Sequence, residues 1–90
     1  MRKSPMGLID SFAWIEYFKG SRRGANIKEY VESCEPIYTP SICLVEIKSK
    51  YLTESKDPTT RIELILERSF IVPLDAEVAL LAAEIRKVFG

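Results

Sequence analysis

Short apolar runs alternate with amphipathic stretches along the chain. Met6-Gly7-Leu8-Ile9 is closed by Asp10 and followed at once by Ser11 and Phe12-Ala13-Trp14-Ile15-Glu16-Tyr17-Phe18, an order that reads as buried strand, carboxylate, helix cap, helix. The Ser11 hydroxyl is placed to cap free backbone amides. Phe12, Ile15, Tyr17 and Phe18 give the helix an apolar side, and Gly20 with Ser21 stops it. Arg22-Arg23-Gly24 reads as a basic turn. A second helix is predicted near Ala25 to Cys34, because Ile27, Tyr30, Val31 and Cys34 recur at i, i+3, i+4 and i+7.

Pro36 ends that helix, and Ile37-Tyr38-Thr39 is a short strand bounded by Pro36 and Pro40. Ser41 is then expected to cap a third helix near Ile42 to Thr53. Lys56-Asp57-Pro58-Thr59-Thr60 offers two starts for a fourth: Asp57 capping with Pro58 at the first helical position, or Thr60 with Glu63 as a capping box. Either start leaves Ile62, Ile65 and Leu66 inward. Phe70-Ile71-Val72 is a third strand ended by Pro73. Asp75 then caps a last helix with Val78, Leu81, Ala82, Ile85 and Phe89 as its apolar stripe. The order β-α-α-β-α-α-β-α implies an α/β fold with a central parallel sheet and right-handed crossovers. Parallel sheets are normally covered on both faces and seldom stop at three strands, so the pattern looks like the front part of an α/β domain.

Ninety residues make one small domain. A chain of this size buries only about 60–65% of the surface it exposes when unfolded. Thirteen basic residues balance thirteen acidic ones, so there is no strong net field toward a polyanion, and any such contact needs a local patch. No apolar stretch is long enough to span a bilayer, and Asp10 and Glu16 interrupt any signal-peptide core after Arg2 and Lys3. The expectation is a cytoplasmic protein without a membrane partner. Cys34 and Cys43 are too few for a disulfide scaffold; they read as two small buried hydrophobes, with a bridge between them left open.

There is no histidine. That removes imidazole-based triads and most zinc sites, and leaves chemistry to carboxylates, hydroxyls, lysines and a hard metal. In an open α/β sheet ligands bind just outside the carboxyl ends of strands, where Asp10 falls. The helix after it favours a charged carboxylate there. Glu46 is the second unusual acid. It lies in Ile42-Cys43-Leu44-Val45-Glu46-Ile47, apolar on nearly all sides, and glutamate is seldom buried without a partner. A salt bridge, a side chain snorkelling at the helix edge and neutralisation by a cation each account for it. In the last case Asp10 and Glu46 converge on one ion, and their oxygen donors suit magnesium or manganese. Lys19, Arg22, Arg23 and Lys28, with Lys48 and Lys50 beside Glu46, are diffuse candidates for phosphate contact. Trp14 reads as core or interface packing in preference to base stacking.

Gly7-Leu8-Ile9-Asp10-Ser11-Phe12-Ala13-Trp14-Ile15-Glu16-Tyr17-Phe18 resembles the opening motif of PIN-domain ribonucleases, with the nearest likeness to the VapC-type toxins of toxin–antitoxin pairs. Pro40-Ser41-Ile42-Cys43-Leu44-Val45-Glu46-Ile47 resembles the second motif, and Ile71-Val72-Pro73-Leu74-Asp75 with Val78, Ala79 and Ala82 the third strand and its helix. The resemblance implies a PIN-like three-layer fold and a magnesium- or manganese-dependent endoribonuclease. It implies Asp10 and Glu46 as metal ligands, and Ser11 as a hydroxyl near the metal or as the helix cap. It also implies an RNA substrate, a homodimer and a cognate antitoxin. The family's further acidic motif and last strands have no counterpart within residues 1–90. The expectation is therefore a single PIN-like domain, incomplete at its C-terminus and weak or inactive as a nuclease. The alternative is a non-catalytic remnant that dimerises or binds an antitoxin. Asp75 matches the family's helix-cap position, not a catalytic one.

Overall fold

The computed structural model describes residues 7–73, 75–77, 79–80 and 83–84. It is a mixed α/β structure with parallel strand pairing, the class the sequence predicts. β1 (Tyr38–Pro40) pairs in parallel with β2 (Phe70–Val72), in the register Tyr38↔Phe70, Thr39↔Ile71 and Pro40↔Val72. The first apolar run joins on the other side of β1 by a single parallel bridge, Leu8↔Tyr38, with the Ile9 amide donating to the Tyr38 carbonyl at 2.8 Å. The described part of the predicted first strand is thus one bridge.

A proline explains the short ladder. Successive amides of a strand face alternate neighbours. The Ser41 amide donates to Val72 of β2 at 2.8 Å, so the residue before it faces the first segment. That residue is Pro40, which has no N–H to give. Gly7 enters this segment with φ +66°, and a Cβ there would stand 2.8 Å from the Pro36 carbonyl oxygen, so the close approach requires glycine.

Four helices are fully delimited among the described residues: α1 (Ser11–Lys19), α2 (Arg22–Val31), α3 (Ile42–Thr53) and α4 (Thr59–Arg68). The α3 bounds match the sequence reading, while the helix starts correct it. Asp10, not Ser11, is the N-cap of α1: its Oδ1 accepts from the Ala13 amide at 2.9 Å. Ser21 caps α2 by accepting from the Gly24 amide at 3.0 Å, so Arg22-Arg23-Gly24 is a first helical turn and not a loop. Ser41 is itself helical in backbone and makes no side-chain cap bond. Asp57 accepts from the amide and hydroxyl of Thr59 at 2.9 and 2.7 Å, which favours the Asp57 start over the Thr60–Glu63 box, but one residue late: Pro58 is the N-cap, without a side-chain cap bond, and Thr59 is the first helical residue.

α1 and α2 form a tight corner. Gly20 ends α1 at φ +68°, a left-handed cap that glycine adopts without strain. A Cβ on buried Gly24 would collide with the Glu16 carbonyl oxygen and stand 2.9 Å from Tyr17 Cα, so the two backbones touch at that point. The side of α1 that packs deepest is Ala13 and Trp14; Phe12, Ile15, Tyr17 and Phe18, the predicted apolar side, are only half-buried. Trp14 is fully buried and starts a polar thread through the core. Its Nε1 donates to Thr39 Oγ1 at 3.0 Å, the Thr39 and Ser69 hydroxyls are 2.8 Å apart, and Ser69 Oγ donates to the Ile65 carbonyl at 2.7 Å. Each hydroxyl passes one proton onward, so buried polar atoms of α1, β1 and α4 satisfy one another.

Other inward assignments divide. Ile65 is buried and Ile62 half-buried, but Leu66 is 52% exposed. Cys43 is buried as expected, whereas Cys34 is exposed. Residues 76, 77, 79, 80, 83 and 84 are helical, and the Ala79 amide donates to the Asp75 carbonyl at 2.9 Å. The predicted stripe of Val78, Leu81, Ala82, Ile85 and Phe89 lies outside the described residues. No helix among the described residues is long and apolar enough to cross a membrane.

Candidate active site

The three residues singled out from sequence come together at the start of α1. Asp10 follows the first sheet segment directly, and its extended backbone (φ −89°, ψ 177°) turns the carboxylate onto the first helical turn. It is 3% exposed, and its second oxygen, Oδ2, is buried as well. Burial of a carboxylate is tolerable here because a backbone amide and the positive end of α1 both favour the charge.

Ser11 is the first residue of α1 and is 4% exposed. Its Oγ donates to Glu46 Oε1 at 2.8 Å, across 35 residues of sequence. That bond ties the starts of α1 and α3 together and draws the Glu46 carboxylate beside Asp10's immediate neighbour. Glu46 is exposed, which corrects the expectation of an inward glutamate. The apolar residues around it in sequence do not enclose it: α3 buries Cys43, Ile47 and Tyr51, while Ile42 and Val45 are 39% and 59% exposed. Of the three explanations weighed for Glu46, a side chain at the helix edge describes its position, and the Ser11 hydroxyl gives it a fixed partner.

The site is therefore one shielded carboxylate and one open carboxylate, joined through a serine, just beyond a parallel sheet. Its donors fit a hard divalent ion in kind: oxygen only, two of them anionic. In number they are modest. Among the described residues no group of three or more aspartate, glutamate, cysteine or histidine side chains is placed to hold a metal.

The predicted phosphate contacts are scattered, and several are already engaged. Lys19 pairs with Glu16 at 3.7 Å, Lys28 with Glu32 at 4.0 Å, and Lys50 with Glu54 at 2.7 Å. The Glu54 hydrogen bond, aided by its charge, raises the Lys50 ammonium above its ordinary 10.5, and the bonds from Lys50 and Lys56 lower Glu54 below 4.5. Arg22, Arg23 and Lys48 are exposed and make no ion pair among the described residues. Arg23 instead sits over the Phe12 ring, its guanidinium carbon 6.0 Å from the centroid. Sequence reasoning missed that pairing because it placed Arg23 in a loop. The one available signal was Ser21, which marks a helix start two residues earlier.

In open α/β sheets ligands bind just outside the carboxyl ends of the strands, which is where Asp10 lies. The family comparison is more specific: the PIN domain matches residues 7–90, and the chain belongs to the PIN-domain family. PIN domains are generally nucleases, hydrolases that cut phosphodiesters, and generally use divalent metals. No curated protein and no solved structure matches the chain.

Proposed function

We propose that this protein is a metal-dependent endoribonuclease of the VapC toxin type, with Asp10 and Glu46 as the ligands of a magnesium or manganese ion and Ser11 as the residue that positions Glu46. The observation that carries this reading is the Ser11–Glu46 hydrogen bond at 2.8 Å, which joins residues remote in sequence at the expected end of the sheet. Within a family of nucleases, a serine that directly follows the strand-end aspartate and grips a second carboxylate is an arrangement for holding a cation. When bound, such an ion offsets charge on the scissile phosphate and makes a water more acidic.

The chain's own residues divide the remaining work. Asp10 is held rigid by the α1 amide, so its charge stays at one place in the site. Ser11 aims the Glu46 carboxylate from the buried side, and Glu46, being exposed, is the ligand that meets incoming solvent and substrate. With two carboxylates the site binds metal weakly, and cleavage by this chain is expected to be slow. The cognate partner in this reading is an antitoxin protein that covers the site, and the working form is a homodimer.

The test combines Mn2+ titration by calorimetry with magnesium-dependent cleavage of a single-stranded RNA. Glu46→Gln keeps an acceptor for Ser11 but removes the charge, so it is expected to weaken Mn2+ binding at least about tenfold. Asp10→Asn keeps the helix cap and is expected to abolish cleavage. Equal Mn2+ affinity in wild type and Glu46→Gln removes Glu46 as a ligand.

A second reading has its own observation. Asp10 is 3% exposed and already serves as the α1 cap, which is what a carboxylate kept for structure alone looks like. In that reading the chain is a non-catalytic PIN module for dimerisation or antitoxin binding. Neither metal affinity nor cleavage then exists for the two substitutions to change.

A further inference from the structure

A pair of carboxylates repels a polyanion, so a site of this kind needs positive charge on the substrate's path. Most of the nearby lysines are committed to glutamates on their own helices. Arg23 is different in three respects. It is exposed and has no carboxylate within ion-pair distance among the described residues. It is held: its guanidinium lies over the Phe12 ring at 6.0 Å, the outer range at which a cation and an aromatic face attract. And it is well placed, because Phe12 directly follows Ser11, the residue hydrogen-bonded to Glu46. Arg23 starts from α2, but its charged end reaches back to Phe12 in the first turn of α1, the turn that Asp10 caps and Ser11 opens.

We propose that Arg23, braced on Phe12, is the phosphate-binding residue that docks single-stranded RNA against the Asp10–Ser11–Glu46 site. A guanidinium is a planar fork whose paired N–H edges match two phosphate oxygens at once. The ring also reduces the side-chain freedom that must be lost on binding. The contact is to backbone phosphate, so it positions the strand without selecting its sequence. The inference rests on the nuclease reading for what happens after docking, but not for the docking itself.

Arg61 supplies an internal control. It makes the same kind of contact, 5.5 Å over the Tyr51 ring, but on the seam between α3 and α4. The experiment measures binding of a fluorescently labelled 12-nucleotide RNA of mixed sequence by anisotropy, in EDTA so that no metal-dependent cleavage intervenes, across a range of salt. Arg23→Ala is expected to weaken binding about five- to tenfold and to flatten the slope of log affinity against log salt by about 0.7, the loss of one phosphate contact on a single strand. Arg23→Lys, which keeps charge but not the fork, falls between. Phe12→Leu costs about two- to threefold with Arg23 present and nothing in the Arg23→Ala background, which is the signature of a brace. Arg61→Ala matches wild type.

Equal affinity and slope for wild type and Arg23→Ala overturn the proposal. So does an equal loss in Arg61→Ala, or the absence of measurable RNA binding by wild type. Magnesium-dependent cleavage is read separately with Asp10→Asn. If wild type binds RNA through Arg23 yet cuts nothing, the nuclease reading fails while the docking residue stands.

Discussion

α1 and α3 each bring one carboxylate to the same place, and they are built in opposite ways. α1 starts on a side-chain cap, buries Ala13 and Trp14 completely, and keeps its carboxylate out of water. α3 starts without a side-chain cap, leaves Ile42, Val45 and Leu52 at 39%, 59% and 56% exposure, and carries its carboxylate at the surface. Asp10 is thus part of the frame as well as of the proposed site, whereas Glu46 leans on the frame through Ser11. A substitution at Asp10 disturbs fold and chemistry together unless it preserves the cap. A substitution at Glu46 reads chemistry almost alone.

The largest expected contrast is in stability. Trp14→Ala should cost about 3–5 kcal/mol in urea unfolding, since it empties a fully buried site and removes the donor to the Thr39 hydroxyl. Leu52→Ala on α3 should stay within about 0.5 kcal/mol, as exposed substitutions usually do. Comparable losses would mean that α3 is as deeply integrated as α1. Next comes Gly24→Ala, expected to cost about 1–3 kcal/mol because the added methyl must push α2 off the Glu16 carbonyl; unchanged thermal unfolding would show that the corner is not tight. The carboxylates themselves follow. Asp10→Ala should lose about 1 kcal/mol with the cap while Asp10→Asn loses little, and Glu46→Ala should stay within about 0.5 kcal/mol. A destabilised Glu46→Ala would move Glu46 into the frame.

The smallest effect concerns acid. Asp57 lies below its ordinary 3.8 because the Thr59 hydroxyl and then the Thr59 amide bond its charged form. A depressed folded-state value means that the stabilising contribution is present above 3.8 and fades as pH falls through the lower, folded value. A slight additional loss of wild-type stability relative to Asp57→Asn is expected below pH 3.8, measured by urea titrations at stepped pH. Parallel curves across that range would remove the Asp57 start as a stabilising feature of α4.

The legible part of this molecule was periodic or punctuated. The α3 bounds, the Phe70–Val72 strand and the stop at Gly20 follow from apolar spacing and from glycine chemistry, whereas α2 ends at Val31, short of the Cys34 and Pro36 that the spacing predicts. Asp10, Ser11 and Glu46 were legible as a set because a strand end and a following helix are visible in local sequence. Exposure was not. Glu46 sits among apolar neighbours in the chain, but which face of α3 meets the core is decided by Ile9, Trp14 and Ile65 from other segments. Caps were misread for a related reason: Asp10 and Ser11 are adjacent residues of equal capping chemistry, and only the backbone turn at Asp10 chooses between them. The short first ladder was hidden because its limit, Pro40, lies on the opposite strand.

Arg68 carries a consequence for the order of folding. α2 ends at Val31 without a left-handed glycine; Ser33 Oγ donates locally to the Tyr30 carbonyl at 2.8 Å, and the other partner comes from far along the chain: Arg68 donates to the carbonyls of Val31, Tyr30, Ser33 and Glu35, the latter three at 2.9, 2.8 and 2.9 Å. A local cap would let α2 finish by itself, within the microsecond of a helix–coil step. This one is supplied across 33 to 38 residues by the last turn of α4. The long-range part of the α2 end, the Val31 carbonyl above all, therefore completes only once the later half of the chain has arrived. In hydrogen exchange its final amides should open together with those of α4, as one cooperative unit, and not with the α1 corner at its other end.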